Sequence, residues 1–323
     1  MERMRYAVIG VGSMGKNHAR AVHELKEVEL VAVVDVNIIV AEAIGHLYNC
    51  KAFGSVVEML EDTKPEAVSI CVPTTLHVKI AEECIKRGIH ILVEKPIAAN
   101  IEDAKHMLQL AAHNDVRFMV GHIERFNPAV LKVKELLDKN EIGNIVSVMA
   151  RRVGVFPPQI KDANIAVDLA IHDIDIINFL LGENPTKVVA EKRRSHIEHR
   201  EDSVEIFLSY PSASAYIQAN WITPVKIRKL NITGTEGYLE MDYINQKIIF
   251  YKSNYEKYRE EAGEVGGHAD FVLKYMEPDT VEISVAKREP LKEEIRYFLR
   301  AITDNIQIDA THAIKALEIA LQC

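Results

Sequence analysis

The sequence predicts two domains of different class. Residues 1–122 read as a doubly wound, parallel-sheet α/β domain, and residues 123–323 as an α+β domain with a large, mostly antiparallel open sheet. Three observations carry that expectation. Over the first 122 residues short apolar, β-branched runs alternate with segments of helical periodicity, the pattern of parallel strands joined by crossover helices. After His122 strand-like runs follow one another through short polar or Gly/Pro turns, as antiparallel connections allow. A chain of 323 residues is also long enough to bury two cores.

In the first domain strands are expected at 6–9, 28–34, 51–53, 66–72, 89–93 and 117–122. Helices are expected at 13–25, where Ala19, Val22 and Leu25 share a face, then at 38–48, 55–62, after His77 to 87, and at 100–114. Ser55 and Glu58 have the spacing of a capping box. In the second domain a helix at 126–139 precedes strands at 146–153, 187–193, 204–209, 214–221, 226–233, 238–242 and 247–251. A helix at 166–181, stopped by Gly182, interrupts them, and helices at 291–301 and 310–321 close the chain. Residues 252–280 show no pattern that organises them.

The first strand runs into Gly10-Val11-Gly12-Ser13-Met14-Gly15, the G-x-G-x-x-G spacing of a dinucleotide-binding turn. There the first glycine makes the tight turn, the second admits a pyrophosphate, and the third lets helix and strand approach. The phosphates sit on the unpaired N–H groups of the helix that starts at Ser13. Asp35 ends the second strand, twenty residues after Gly15, where an acid accepts from the adenosine ribose. A carboxylate there repels a 2′-phosphate, so NAD is favoured over NADP; a turn or helix-cap role explains Asp35 without a ligand. Val72, Pro73 and Thr74 end the fourth strand and Glu94-Lys95-Pro96 the fifth, the edge at which open parallel sheets collect ligands. Pro96 holds Lys95 out of a helical conformation. His18, three residues after Gly15, reads as a surface or packing residue.

With 39 Lys plus Arg against 47 Asp plus Glu, the formal charge is −8, which argues against general nucleic-acid binding. Cys50, Cys71, Cys84 and Cys323 form no C-x-x-C pair, so reduced thiols in the cytoplasm are expected. No run approaches the length of a membrane span.

Together the glycine motif, Pro73-Thr74-Thr75-Leu76-His77, Glu94-Lys95-Pro96 and Asp168-Leu169-Ala170-Ile171-His172-Asp173-Ile174-Asp175 resemble the Gfo/Idh/MocA oxidoreductases. The resemblance covers nearly the whole chain; Ala170 stands where other members often have glycine. It implies a Rossmann domain and a second domain whose open sheet makes subunit contacts, hence a homodimer or homotetramer. It also implies reversible oxidation of a sugar or cyclitol hydroxyl by a nicotinamide cofactor. Lys95 and His172 match the catalytic pair, Asp168 its carboxylate neighbour, and Pro73, Thr74, His77 and Glu94 cofactor-contacting positions.

That chemistry suits these residue types. Removing a hydride from a C–H bond requires the attached hydroxyl to lose its proton to a positioned base. An imidazole is ready for this near neutral pH, whereas an ammonium orients the alkoxide and stabilises its charge. His172 is therefore expected to accept the proton beside Lys95, with the reverse assignment open. Asp168 lies four residues before His172, on the same helical face. No metal is expected, because nicotinamide accepts a hydride without one. Arg125, Asn127, Arg152 and Lys161 are candidate contacts to substrate, although a surface ion pair explains any single arginine as well. The segment from Gly121 to Pro128, with the Asp168–Asp175 motif, resembles the branch that oxidises UDP-N-acetylglucosamine at C3 and related UDP-amino sugars. Oxidation of a free sugar or inositol is the alternative among enzymes. A non-catalytic NAD-binding sensor is the alternative outside them, and retention of both Lys95 and His172 argues against it.

Overall fold

The computed structural model describes residues 3–155, 164–196, 200–253 and 279–323. They form two compact units, Met1–Phe126 with Glu289–Glu318, and Asn127–Arg288 with Ile319–Cys323.

The first unit holds β1 (Met4–Ile9), α1 (Ser13–Glu24), β2 (Val28–Val34), α2 (Ile38–Tyr48) and β3 (Lys51–Phe53). There follow α3 (Val56–Thr63), β4 (Ala67–Ile70), α4 (His77–Ile85), β5 (His90–Glu94), α5 (Ile101–His113) and β6 (Phe118–Gly121). All six strands are parallel, in the order β3-β2-β1-β4-β5-β6. Tyr6 to Ile9 are fully buried, which is why they read as one apolar run rather than an alternation. The register sets Ile9 abreast of Val34 and Ile70, and Ile70 abreast of Val93. The turns that follow β1, β2, β4 and β5 therefore emerge along one edge. Strand order reverses between β1 and β4, the switch point at which such sheets bind dinucleotides.

The unit boundary differs from the one read in sequence. Helix Pro290–Thr303, expected in the second domain, belongs to the first unit. Its Leu291, Ile295, Phe298 and Leu299 share one buried cluster with Tyr6, Val8, Val33 and Leu92, and the Phe298 and Tyr6 rings meet edge to face at 6.4 Å. The boundary also lies after Phe126 rather than after His122, because the Phe126 ring packs at a tilt against Tyr297 of that helix, 5.4 Å between centroids.

The second unit contains α6 (Pro128–Asp138), β7 (Ile145–Val155), a π-helical turn (Ala166–Ala170) and α7 (Ile171–Leu181). Then come β8 (Lys187–Arg193), β9 (Ser203–Ser209), β10 (Ser214–Asn220), β11 (Ile222–Gly234), β12 (Gly237–Asp242), β13 (Lys247–Lys252) and β14 (Asp279–Ile283). They make one sheet ordered β14-β13-β12-β11-β7-β10-β9-β8, antiparallel except for the β7–β10 pair. The strand β14 was not anticipated, and 254–278 lie outside the described residues. Burial alternates along β9 and β12, so one face is covered and the other is not. Val189, Phe207, Tyr216 and Met149 lie side by side across the uncovered face. Among the described residues no helix is long and apolar enough to cross a membrane.

Candidate active site

The turn after β1 has the geometry a pyrophosphate cradle needs. Gly10 has φ +83°, and a Cβ there would lie 2.8 Å from the Cys71 carbonyl oxygen. A Cβ on Gly15 would lie 1.8 Å from the Gly10 carbonyl oxygen, so only glycine permits the approach of α1 to β1. A Cβ on Gly12 would meet nothing within 4 Å, and no side chain caps α1. The first-turn N–H groups at exposed Ser13 and half-buried Met14 thus offer an anion site with no competing protein acceptor at the cap. Half-buried Asp35 accepts hydrogen bonds from the Val11 N–H at 3.0 Å and the Asn37 N–H at 2.9 Å. It shapes the glycine turn and keeps lone pairs for hydroxyl donors. These features fit a dinucleotide.

Further along the same edge, Pro73 precedes a 3₁₀ turn, Thr74–Leu76, with Val72 and Thr74 half-buried. His77 is buried, with Nε2 at 3.0 Å from the Val72 carbonyl oxygen and Nδ1 at 3.1 and 3.2 Å from those of Pro96 and Ile97. Expected as a cofactor contact, it lies between the carbonyls of the turn after β4 and those of the turn after β5, and as a neutral imidazole it donates its single N–H to one side. Burial lowers its pKa against the opposing pull of those carbonyls.

Lys95 follows β5, half-buried, with a cis peptide bond to Pro96. Beside it the buried Glu94 meets His18 Nε2 through Oε1 at 2.9 Å. The chain continues from His18 Nδ1 to Ser69 Oγ at 2.9 Å and from Ser69 to the Tyr6 hydroxyl at 2.8 Å. Burial opposes ionisation of Glu94, but the His18 hydrogen bond and the Lys95 charge hold its carboxyl below the usual range. The neighbouring Glu294 is fully buried, and neither carboxyl oxygen has a hydrogen-bond partner among the described residues. Burial, reinforced by the Glu94 charge, pushes its carboxyl well above the ordinary range.

In the second unit Asp168 lies in the π-helical turn and His172 at the start of α7, both half-buried. The expected single helix 166–181 thus opens with a wider turn, a feature frequent at functional sites. Arg152 on β7, expected to contact substrate, is 4% exposed, and Nε and Nη2 reach the two Asp173 carboxylate oxygens at 2.7 and 3.0 Å. Its guanidinium also lies over the Tyr243 ring at 5.0 Å. Asn127 is likewise engaged: Oδ1 accepts from the Ala129 N–H, capping α6, and Nδ2 donates to the Tyr243 carbonyl. Arg125, half-buried in the first unit's turn after β6, lies near Asp309. Lys161 lies outside the described residues.

Residues 4–122 match the NAD-binding Rossmann domain of the Gfo/Idh/MocA oxidoreductases, and residues 130–240 match that family's C-terminal domain. The chain belongs to the Gfo/Idh/MocA family. It is similar to UDP-N-acetylglucosamine 3-dehydrogenase of Acidithiobacillus ferrooxidans, at 29% identity over 100% of this chain and 96% of that protein. A solved structure of that enzyme superposes with a TM-score of 0.85 at 27% identity, covering 100% of this chain and 97% of the other. The Rhizobium meliloti inositol 2-dehydrogenase is 33% identical over 58% of each chain. This Gfo/Idh/MocA oxidoreductase is thus an NAD-binding enzyme of the dehydrogenase class that acts on CH–OH groups.

In this Gfo/Idh/MocA chain, sequence reasoning missed the links of His18 and Glu294 to Glu94. No local signal marks them, because His18 lies 76 residues before its carboxylate partner and Glu294 sits on a helix returning from the far end of the chain.

Proposed function

We propose that this enzyme is an NAD-dependent dehydrogenase that oxidises the C3 hydroxyl of UDP-N-acetylglucosamine or a closely related UDP-amino sugar. The observation that carries the substrate is likeness along the entire chain to an enzyme named for that reaction. The sequence match to the Rhizobium meliloti inositol 2-dehydrogenase extends over 58% of the chain, and a cyclitol is the second reading.

Bound in the glycine turn, NAD supplies the hydride acceptor. Gly12, Ser13, Met14 and the α1 terminus hold its pyrophosphate. Asp35, with two backbone N–H groups fixing its carboxylate, accepts from the adenosine ribose and repels a 2′-phosphate. Measured preference for NADP would overturn that part. Val72, Pro73 and Thr74 contact the cofactor through the turn after β4. His172 takes the proton of the reacting hydroxyl, Lys95 hydrogen-bonds the oxygen as charge develops, and Asp168 orients the imidazole or the sugar. Arg125 is assigned to the substrate diphosphate, whereas Arg152 and Asn127 support the second unit's framework. The enzyme works in the cytoplasm, in keeping with four free cysteines. Copies pair through the uncovered sheet face that carries Val189, Phe207 and Met149, making a dimer or tetramer.

Purified protein mixed with NAD and each of UDP-N-acetylglucosamine, N-acetylglucosamine and inositol is read by absorbance of the reduced nicotinamide. Turnover of the UDP-sugar is expected. Turnover of inositol alone would replace this substrate, and bound NAD without turnover on any sugar would leave a sensor. Lys95→Ala and His172→Ala each should lower kcat by about 10²-fold or more with NAD affinity essentially retained. A variant with a near-normal rate removes that residue from the mechanism.

A further inference from the structure

We propose that His18 is a positioning residue for Lys95: through a buried chain, Tyr6–Ser69–His18–Glu94, it fixes the carboxylate that fronts the lysine. The inference rests on the assignment of Lys95 to the reaction, made above.

The chain joins four elements, β1, β4, α1 and β5, and its hydrogens can be counted. Tyr6 and Ser69 each bring one O–H, a neutral imidazole one N–H, and an ionised Glu94 none. If Tyr6 donates to Ser69, Ser69 to Nδ1, and Nε2–H to Glu94, every polar hydrogen has an acceptor. Reversing the direction, with the proton on Glu94, leaves the Tyr6 hydroxyl hydrogen with none, since Ser69 is its one hydrogen-bond partner among the described residues and the ring is fully buried. A doubly protonated His18 likewise strands one hydroxyl hydrogen. Burial therefore selects the neutral Nε2–H tautomer and an ionised Glu94, because an unmatched buried hydrogen-bonding group costs about 1–3 kcal/mol. Ser69, His18 and Glu94 copy the residue types of a hydrolytic triad, but Ser69 is fully buried and its hydrogen points at a ring that holds it.

Glu94 is placed to act on Lys95. It is the last residue of β5, its Oε2 accepts the Lys95 N–H at 3.3 Å, and its charge interacts with that of Lys95. Gly121 of β6 leaves room for it: a Cβ there would lie 3.3 Å from Glu94 Oε1. His18 projects from α1, the helix whose terminus forms the pyrophosphate cradle. One hydrogen bond thus couples that helix to the end of the strand that carries Lys95.

Imidazole ¹⁵N NMR on the full-length protein tests the chain without a substrate. His18 is expected as the neutral Nε2–H tautomer near neutral pH; an Nδ1–H tautomer or an imidazolium overturns the proposal. Kinetics test the consequence. Glu94→Gln keeps the shape and an acceptor for Nε2–H, and should lower kcat about tenfold or more while KM for NAD changes by less than about twofold. His18→Leu should do the same and move the acid limb of kcat to higher pH, because burial then acts on Glu94 without the His18 hydrogen bond to offset it. His18→Gln, which can donate to Glu94 and accept from Ser69, should restore both. If Glu94→Gln keeps full kcat, the positioning role is refuted even should His18→Leu fail to fold. Normal turnover by Lys95→Ala would instead refute the catalytic assignment, and this proposal with it.

Discussion

Arg152→Met separates a framework role from a substrate role. The guanidinium is 4% exposed and Asp173 1% exposed, and two hydrogen bonds of 2.7 and 3.0 Å join them. Methionine roughly fills the space but takes from the buried Asp173 carboxylate the Arg152 charge and both of its hydrogen bonds. Removing one partner of a buried pair costs about 3–5 kcal/mol, far above the 0–1 kcal/mol of an exposed pair. For a unit of this size each kcal/mol moves Tm by about 2–4 °C, so a fall of roughly 6–20 °C is expected. Urea denaturation monitored by Trp221 fluorescence measures the loss, since this sole tryptophan lies in the same unit. Replacing both partners, Arg152→Met with Asp173→Leu, should recover most of it, because the carboxylate that Arg152 matched is then gone as well. A single variant that loses less than about 1 kcal/mol while raising KM for the sugar would refute the reasoning and return Arg152 to the substrate.

Gly15→Ala should destabilise the first unit by about 1–3 kcal/mol or more and weaken NAD binding, since the new methyl would overlap the Gly10 carbonyl; calorimetric titration with NAD checks it, and native affinity would count against the cradle. Glu294 gives a pH signature. Its folded-state pKa is raised above 4.5, so the native state holds a proton the unfolded chain releases. Stability associated with it is complete below 4.5 and declines as pH rises toward the folded value, by up to about 1.4 kcal/mol per pH unit. Glu294→Gln should therefore gain on the wild type as pH rises above 4.5 in urea denaturation, and a pH-independent difference would contradict the buried, unmatched carboxyl.

Some elements were legible because their signals are local. Gly10 and Gly15 specify a backbone turn through the absence of their own Cβ atoms. Tyr6 to Ile9 announce a strand buried on both faces, and Gly182 in the left-handed conformation at φ +70° ends α7 where the sequence stops it. The π-helical turn at Ala166–Ala170 was not legible, since no residue in Ala166-Val167-Asp168-Leu169-Ala170 distinguishes it from an α-helical start. Arg152 and Asn127 were read as candidate contacts because a polar side chain in sequence does not disclose whether its partner is substrate or protein.

The sequence by itself determined the backbone turns, the two strand patterns and the residue types placed at the strand ends, because each follows from a residue and its near neighbours. Tertiary structure alone decided which apolar stripe meets which, sending Leu291, Ile295 and Phe298 into the first unit's core. It also decided which polar groups pair inside, as His18 with Glu94 and Arg152 with Asp173. The reason is physical. A helical stripe or an imidazole declares that it needs burial or a partner, but one apolar stripe or carboxylate satisfies that need much like another. Only the packed chain, in which excluded water makes each mismatch costly, selects among them.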